Sequence, residues 1–182
     1  MINIEKAFSS AILSNFKFLP RLHLRRQEEK ITLRFMTFYR NDLINYITGL
    51  GIKISTVDHS AVYTVKESKQ LRGELPGGHS KNLFLKDKKG RLWLLVVRED
   101  QEVDLKNLRK IIGSAQLSFG KPELLMETLG LKPGSVTPFG VINDTENRVT
   151  VVLDQKLMEY DILNFHPMTN TATSQISPDG LL

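Results

Sequence analysis

Residues 77–97 read Gly77-Gly78-His79-Ser80-Lys81-Asn82-Leu83-Phe84-Leu85-Lys86-Asp87-Lys88-Lys89-Gly90-Arg91-Leu92-Trp93-Leu94-Leu95-Val96-Val97. Pro76-Gly77-Gly78 breaks the chain, because glycine turns the backbone sharply and approaches other groups closely. Leu83 to Lys86 and Arg91 to Val97 flank the polar turn Asp87-Lys88-Lys89-Gly90, which is the chemistry of a β-hairpin. Leu92 to Val97 is apolar without interruption, so the second strand is expected inside the sheet with both faces covered. Lys81 and Asn82 fall where the turn becomes the first strand. An ammonium and a carboxamide are thereby carried by a rigid element, which suits a functional group that must hold position. On spacing alone, a β-turn with solvated polar residues accounts for them equally well.

Outward from the hairpin, the pattern mixes strands and helices. Asn41 is the expected N-cap of a helix with Asp42 in its first turn and Leu43, Ile44, Ile47 and Leu50 as its apolar stripe. Ile52–Val57 and Ala61–Val65 read as strands around Asp58-His59-Ser60, and Lys66–Leu71 as a short helix. Asp104 caps a helix bearing Leu105, Leu108, Ile111 and Ile112 that closes at Gly113. Leu117 and Phe119 alternate. Pro122 opens a further helix that Gly130 ends. Phe139–Ile142 and Val149–Leu153 are expected strands, Lys156–Met158 a helical turn, and Ile162–Phe165 an extended lead into His166. The polar residues from Thr169 to Leu182 are expected to follow the surface. Without strict alternation of strand and helix, the pattern is α+β with a mostly antiparallel sheet.

Composition narrows the chemistry. The 182 residues can bury a real core. There is no cysteine, which removes disulfides, thiolate metal sites and a cysteine nucleophile. No apolar run reaches the length of a membrane span. The net charge of +5 favours an anionic partner. Lys6, Lys17, Arg21, Arg25, Arg26 and Lys30 against Glu5, Glu28 and Glu29 put three of those charges in the first 30 residues. The remainder is mildly basic, as suits brief contact with a nucleic-acid end. The stretch from Gly73 to Asn82 lacks the Gly-Lys-Ser/Thr ending of a phosphate loop, and no Gly-x-Ser-x-Gly elbow occurs. His23, His59, His79 and His166 never stand at metal-ligand spacing, so neither a metal nor an organic cofactor is expected. What remains is a positioning site. Lys81 is a point charge for a phosphate or developing oxyanion, Asn82 can orient a carbonyl or amine, and Gly134 to Pro138 is a stiff turn. His166 has its direction restricted by Pro167.

Three ordered blocks carry a resemblance. The stretch Gly78 to Gly90 resembles the hallmark of the freestanding Ala-tRNA(Pro) deacylases of the YbaK/prolyl-tRNA-synthetase editing-domain superfamily. Gly134-Ser135-Val136-Thr137-Pro138 is similar to its G-x-x-x-P loop. Asn164-Phe165-His166-Pro167, with Asn170-Thr171-Ala172-Thr173, is similar to its C-terminal block. The resemblance runs from about Phe38 to the C-terminus. It places an editing domain at residues 36–182 and leaves 1–35 as an extension; the amphipathic Arg-bearing pattern would also allow a transit peptide, and Met36 a true start of translation with Met1 a false one.

The resemblance implies a YbaK-type fold, a curved mixed sheet flanked by helices, and hydrolysis of the ester of mischarged tRNA(Pro) with assistance from the terminal ribose hydroxyl. Lys81 would hold the terminal nucleotide or ester region, and Asn82 and His166 would orient the aminoacyl group. Gly134, Ser135, Val136, Thr137 and Pro138 would wall the pocket, and His59, His79 and Asn164 would lie at its margin. The implied partners are the tRNA acceptor end and prolyl-tRNA synthetase, for a cytoplasmic monomer. A deacylase that prefers another small group such as cysteine, or a catalytically silent tRNA-binding module on the same fold, are the alternatives.

Overall fold

The computed structural model describes residues 37–61 and 75–182. Among them seven strands form one sheet: β1 (Ile54–Asp58), β2 (Gly78–Asp87), β3 (Leu92–Arg98), β4 (Leu117–Phe119), β5 (Val149–Leu153), β6 (Leu163–Phe165) and β7 (Ala172–Ile176). Their order is β1-β7-β6-β2-β3-β5, with β4 beside β2. The β1–β7, β6–β7, β2–β3 and β2–β4 pairs are antiparallel, and β2–β6 and β3–β5 are parallel. The helices are α1 (Arg40–Gly49), α2 (Leu105–Ile111), α3 (Pro122–Leu129) and α4 (Pro178–Leu181). The expected α+β class and mixed, mostly antiparallel sheet are therefore present.

The hairpin organises the core. Lys81 stands opposite Val97 and Leu85 opposite Trp93, and the turn at Asp87–Gly90 closes the pair. Side chains alternate across a strand, so each face of β2 and β3 meets a different layer. Phe84, Leu92, Leu94 and Val96 pack with Leu129, Leu131, Phe139, Leu163 and Phe165. Leu85, Trp93, Leu95 and Val97 pack with Leu108 of α2 and Leu117. Strand β3 lies between β2 and β5 and is buried on both faces, as its unbroken apolar run requires.

Local signals set most helix ends as read. The Asp104 carboxylate accepts from Lys106 N at 2.8 Å. Pro122 opens α3, and Gly130 ends it in the left-handed region at φ 66°. Helix α1 starts earlier than expected: its N-cap is Tyr39, whose N–H donates to the Asp42 carboxylate, so Asn41 is already helical. Leu43 and Ile47 are buried, whereas Leu50 is 45% exposed.

Two expectations are corrected. Residues 139–142 are not a strand but part of a 3₁₀ helix, Pro138–Asn143. Pro138 at its first position fixes φ for a helical turn, and Thr137 Oγ1 accepts from Phe139 N, so proline and cap override the β-rich composition. The C-terminal stretch is not a surface tail. Ala172, Ser174 and Ile176 point inward from β7, and Leu181 of α4 reaches the main core. The small polar side chains are buried because they are bonded: Thr56 and Ser174 share a hydroxyl hydrogen bond of 2.7 Å. The expected strand over Ala61–Val65, beyond Ala61, and the helix over Lys66–Leu71 lie outside the described residues, as does the extension to residue 35. No helix among the described residues is long and apolar enough to cross a membrane.

Candidate functional site

Strand β2 is paired unevenly along one edge. Gly78 and His79 pair with β6, and Leu85 to Asp87 pair with β4. Between them Lys81, Asn82 and Leu83 have no ladder partner on that side among the described residues. The N–H of Gly78 donates to Ile162 O and the Phe84 carbonyl accepts from Gly120 N, whereas the His79 carbonyl faces β3 and accepts from Glu99 N. By that alternation the backbone N–H and C=O of Asn82 point into the notch between β6 and β4.

The same alternation sends the Lys81 and Asn82 side chains to opposite faces of the strand. Asn82 faces the main core, where its Nδ2 donates to Val136 O at 2.9 Å. A carbonyl can only accept, so the nitrogen is fixed on that side and Oδ1 points away. That Oδ1 is buried and has no hydrogen-bond partner among the described residues. Lys81 leaves the other face, half-buried, and its ammonium has no hydrogen-bond or ion-pair partner among the described residues.

His79 stands opposite Asn164 across the parallel pair. The ladder ends there; continued by two residues, the strand alternation sets Lys81 and His166 on one face. His166 Nδ1 donates to the Ala172 carbonyl at 3.0 Å. This sets the neutral tautomer, with an unprotonated Nε2 free to accept. Burial is the largest influence on His166 and pushes its imidazole below the ordinary range. The bond to Ala172 opposes this, and nearby His59 adds to the lowering. The His59 and His166 ring centroids are 6.3 Å apart. His59 Nδ1 donates to Ser60 O at 2.8 Å, so its Nε2 accepts from the Thr173 hydroxyl at 2.9 Å. Thr173 is the orienting partner that sequence reading did not single out. It became legible only once β7 was known to run beside the His59 loop.

The remaining predicted residues lie in the 134–138 loop and around the Pro-Gly-Gly turn. In the 134–138 loop, Gly134 adopts φ 85°, Ser135 is buried with its N–H on Lys132 O, and Thr137 is fully buried. Val136 packs on the main core and gives its carbonyl to Asn82. The loop is thereby fastened to β2. Asn164 is buried: its amide donates to Pro76 O at 2.9 Å and Gly78 O at 3.4 Å, and its Oδ1 accepts from Gln175 Nε2. His79 Nε2 donates to Leu75 O at 2.9 Å. Both hold the Pro-Gly-Gly turn in place. A Cβ on Gly77 would stand 2.4 Å from Ile162 O, which is why the turn needs glycine there. Arg98, opposite Ser80 at the end of β3, is a cation on the other edge of β2, loosely held 3.7 Å from Asp100 and 3.8 Å from Asp154.

The arrangement puts the acceptor Asn82 Oδ1 on one face of β2, and the ammonium of Lys81 with the acceptor His166 Nε2 on the other, with the unpaired edge of the strand between them. No group of three or more metal-ligating side chains occurs among the described residues.

A model of the aminoacyl-tRNA editing domain matches residues 59–182. The prolyl-tRNA editing protein ProX of Acetoanaerobium sticklandii is 41% identical over 140 residues, covering 76% of this chain and 85% of that protein. Prolyl-tRNA synthetase associated domain-containing protein 1 of Danio rerio is 39% identical over 145 residues, 79% of each. Among solved structures, a candidate trans-editing enzyme for prolyl tRNA synthetase superposes with a TM-score of 0.62 at 24% identity, over 81% of this chain and 92% of that one. This last likeness speaks to the fold.

Proposed function

The chain belongs to the aminoacyl-tRNA editing domain family, and from that premise we propose that it deacylates mischarged tRNA(Pro) in trans, with alanine as the aminoacyl group removed. The observation that carries the reading is the edge of β2 left unpaired between β6 and β4, with the preset acceptor Asn82 Oδ1 on one face and the unpaired Lys81 and His166 Nε2 on the other. An aminoacyl ester brings what these groups lack. Its α-ammonium and the terminal ribose hydroxyl supply donors to the acceptors on the two faces, and the phosphate or developing oxyanion near the ribose meets the Lys81 ammonium. Water adds its oxygen to the acyl carbon, the ester C–O bond breaks, and the ribose oxygen leaves with a proton, giving free amino acid and tRNA. The ester is already activated, so rate depends on seating it and on charge stabilisation rather than on a protein nucleophile.

The specificity reading rests on the wall. A synthetase pocket built for proline rejects the smaller alanine by only ~1–3 kcal/mol, so a second pocket that admits alanine and excludes proline repairs the error. The loop from Gly134 to Pro138, tethered by Asn82 and buried at Ser135, Thr137 and Pro138, supplies a boundary that yields little. Single-turnover deacylation of Ala-, Cys-, Ser- and Pro-tRNA(Pro) tests this. Release of alanine with proline spared is the expected result. Equal rates for alanine and proline would overturn size exclusion, and a cysteine preference would move the substrate. Binding without release of any amino acid would leave a silent tRNA-binding module.

A further inference from the structure

The tip of the β2–β3 hairpin is joined to the end of α2. Lys88 N donates to Gln116 O at 3.0 Å, Ala115 N to Asp87 Oδ2 at 3.1 Å, and Arg91 Nη2 to Gly113 O at 3.1 Å. These bonds set the exposed Lys88 and Lys89 beside Arg109 and Lys110, which are exposed in the last turn of α2. None of these four side chains has a hydrogen-bond or ion-pair partner among the described residues. The one acid between them, Asp87, is inaccessible. Its carboxylate is taken up by Arg91 and by the Lys89, Arg91 and Ala115 N–H groups. The acids of the β3–α2 connection stand at the other end of the helix. Asp100 lies near Arg98, and Asp104 caps Lys106 N. Charge is therefore segregated along α2, with the uncompensated positive end at the hairpin tip.

Seven residues of extended strand separate Lys81 from Lys88, a span of ~23 Å. An aminoacyl ester seated in the notch cannot reach that far. We propose that the Lys88, Lys89, Arg109 and Lys110 patch binds the phosphate backbone of the acceptor stem of the tRNA whose ester end sits at Lys81. The proposal rests on the deacylase reading for its substrate. Clustered, solvated cations without aromatic or base-reading side chains make a phosphate contact that positions without reading sequence. The ~23 Å offset requires a ligand of macromolecular length.

The test is the full chain with Lys88→Ala, Lys89→Ala, Arg109→Ala and Lys110→Ala together, all at exposed positions, beside the single Lys89→Ala. Fluorescence anisotropy with uncharged tRNA over a salt series reads binding without catalysis, and deacylation is measured on Ala-tRNA and on the alanyl ester of a CCA trinucleotide. The expected result is a KM for Ala-tRNA raised at least ~10-fold and a log–log salt slope reduced by roughly 3, from about 0.7–0.9 per phosphate contact. The trinucleotide ester should be cleaved unchanged, and Lys89→Ala should show about a quarter of the slope change. Unaltered tRNA binding and salt slope in the quadruple variant would overturn the patch, as would an equal loss on the trinucleotide ester. A wild-type protein that binds tRNA through the patch yet releases no amino acid would sustain the proposal and sink the deacylase reading instead.

Discussion

Asn82→Ala separates stability from activity, because the two ends of the Asn82 amide do different work. Nδ2 donates to Val136 O at 2.9 Å, and a neutral bond of this kind contributes ~0.5–1.5 kcal/mol net. Oδ1 is buried without a protein partner among the described residues, and a buried acceptor left unpaired costs ~1–3 kcal/mol. Truncation removes both terms, leaves the Val136 carbonyl to water, and should shift folding stability by no more than about 1 kcal/mol in either direction. The catalytic effect has no such cancellation. If Oδ1 receives the substrate's ammonium, a charge-assisted bond of ~1.5–3 kcal/mol disappears, and kcat/KM should fall roughly 10–150-fold. A thermal melt and single-turnover deacylation of Ala-tRNA on the same preparation provide both readouts. A variant destabilised by several kcal/mol that still cleaves at the wild-type rate would refute the reasoning, since Oδ1 would then be a structural acceptor only.

Lys81→Ala should cut deacylation by roughly 10²–10³, the usual loss of one transition-state contact, and leave the melt unchanged because the ammonium has no partner to lose; near-normal turnover would dismiss its role, and Lys81→Arg should rescue poorly because a planar fork does not replace a compact ammonium. The pH profile should be flat above the ordinary histidine pKa of ~6.5 and fall below it, on the acid side set by the lowered His166 value, since protonation consumes the Nε2 acceptor; the acid limb should vanish from the residual rate of His166→Ala. Stability carries the same sign: the unfolded imidazole takes its proton first as pH falls, so His166 weakens the fold below ~6.5. For Asp87, burial works to raise the pKa, but hydrogen bonds from Ala115, Arg91 and Lys89 bring it below the ordinary carboxylate range, so its contribution is present above ~3.9 and is lost as pH drops through the folded value. Asp87→Asn should cost ~3 kcal/mol and lower Tm by roughly 6–12 °C at neutral pH, with the gap from wild type closing in acid.

What the sequence disclosed was whatever local chemistry decides. The turn of the β2–β3 hairpin, the Asp104 cap and the Pro122-to-Gly130 helix each have their signals in neighbouring residues and form as read, although β2 begins at Gly78 rather than Leu83 because its start is set by pairing with β6. The segment Pro138–Asn143 misled because Phe139-Gly140-Val141-Ile142 has strand composition, while its geometry is dictated by one proline and one threonine hydroxyl. Strand β7 was hidden for the opposite reason: Ala172-Thr173-Ser174-Gln175-Ile176 looks solvated, and only its partners on β1 and β6 make burial favourable. For the site, residue identities were visible but their arrangement was not. Once β2 is known to begin at Gly78, period two alone sends Lys81 and Asn82 to opposite faces. The notch itself depends on β6 and β4 each covering only part of one edge, a non-local fact that no window of sequence contains.

The single hydrogen bond from Asn82 to Val136 links orientation to exclusion. A pyrrolidine ring is rejected by overpacking only where the wall cannot recede, and overpacking is worth ~1–3 kcal/mol, roughly 5–150-fold, when the surroundings hold. Ser135, Thr137 and Pro138 are buried and cannot move outward without opening the core, while Val136 is half-exposed and is restrained on the β2 side by Asn82 Nδ2. The loop's stiffness is thus greatest where the core holds it and depends on Asn82 at Val136. Discrimination and rate should therefore fall together in Asn82→Ala, because one truncation frees the wall and deletes the acceptor. In Lys81→Ala they should part. The ammonium touches neither wall nor acceptor, so the residual rate should remain as selective for alanine over proline as the wild type. The ratio of the two single-turnover rates in each variant measures this, and a Lys81→Ala protein that had lost its selectivity would show that exclusion is set at the ester rather than at the wall.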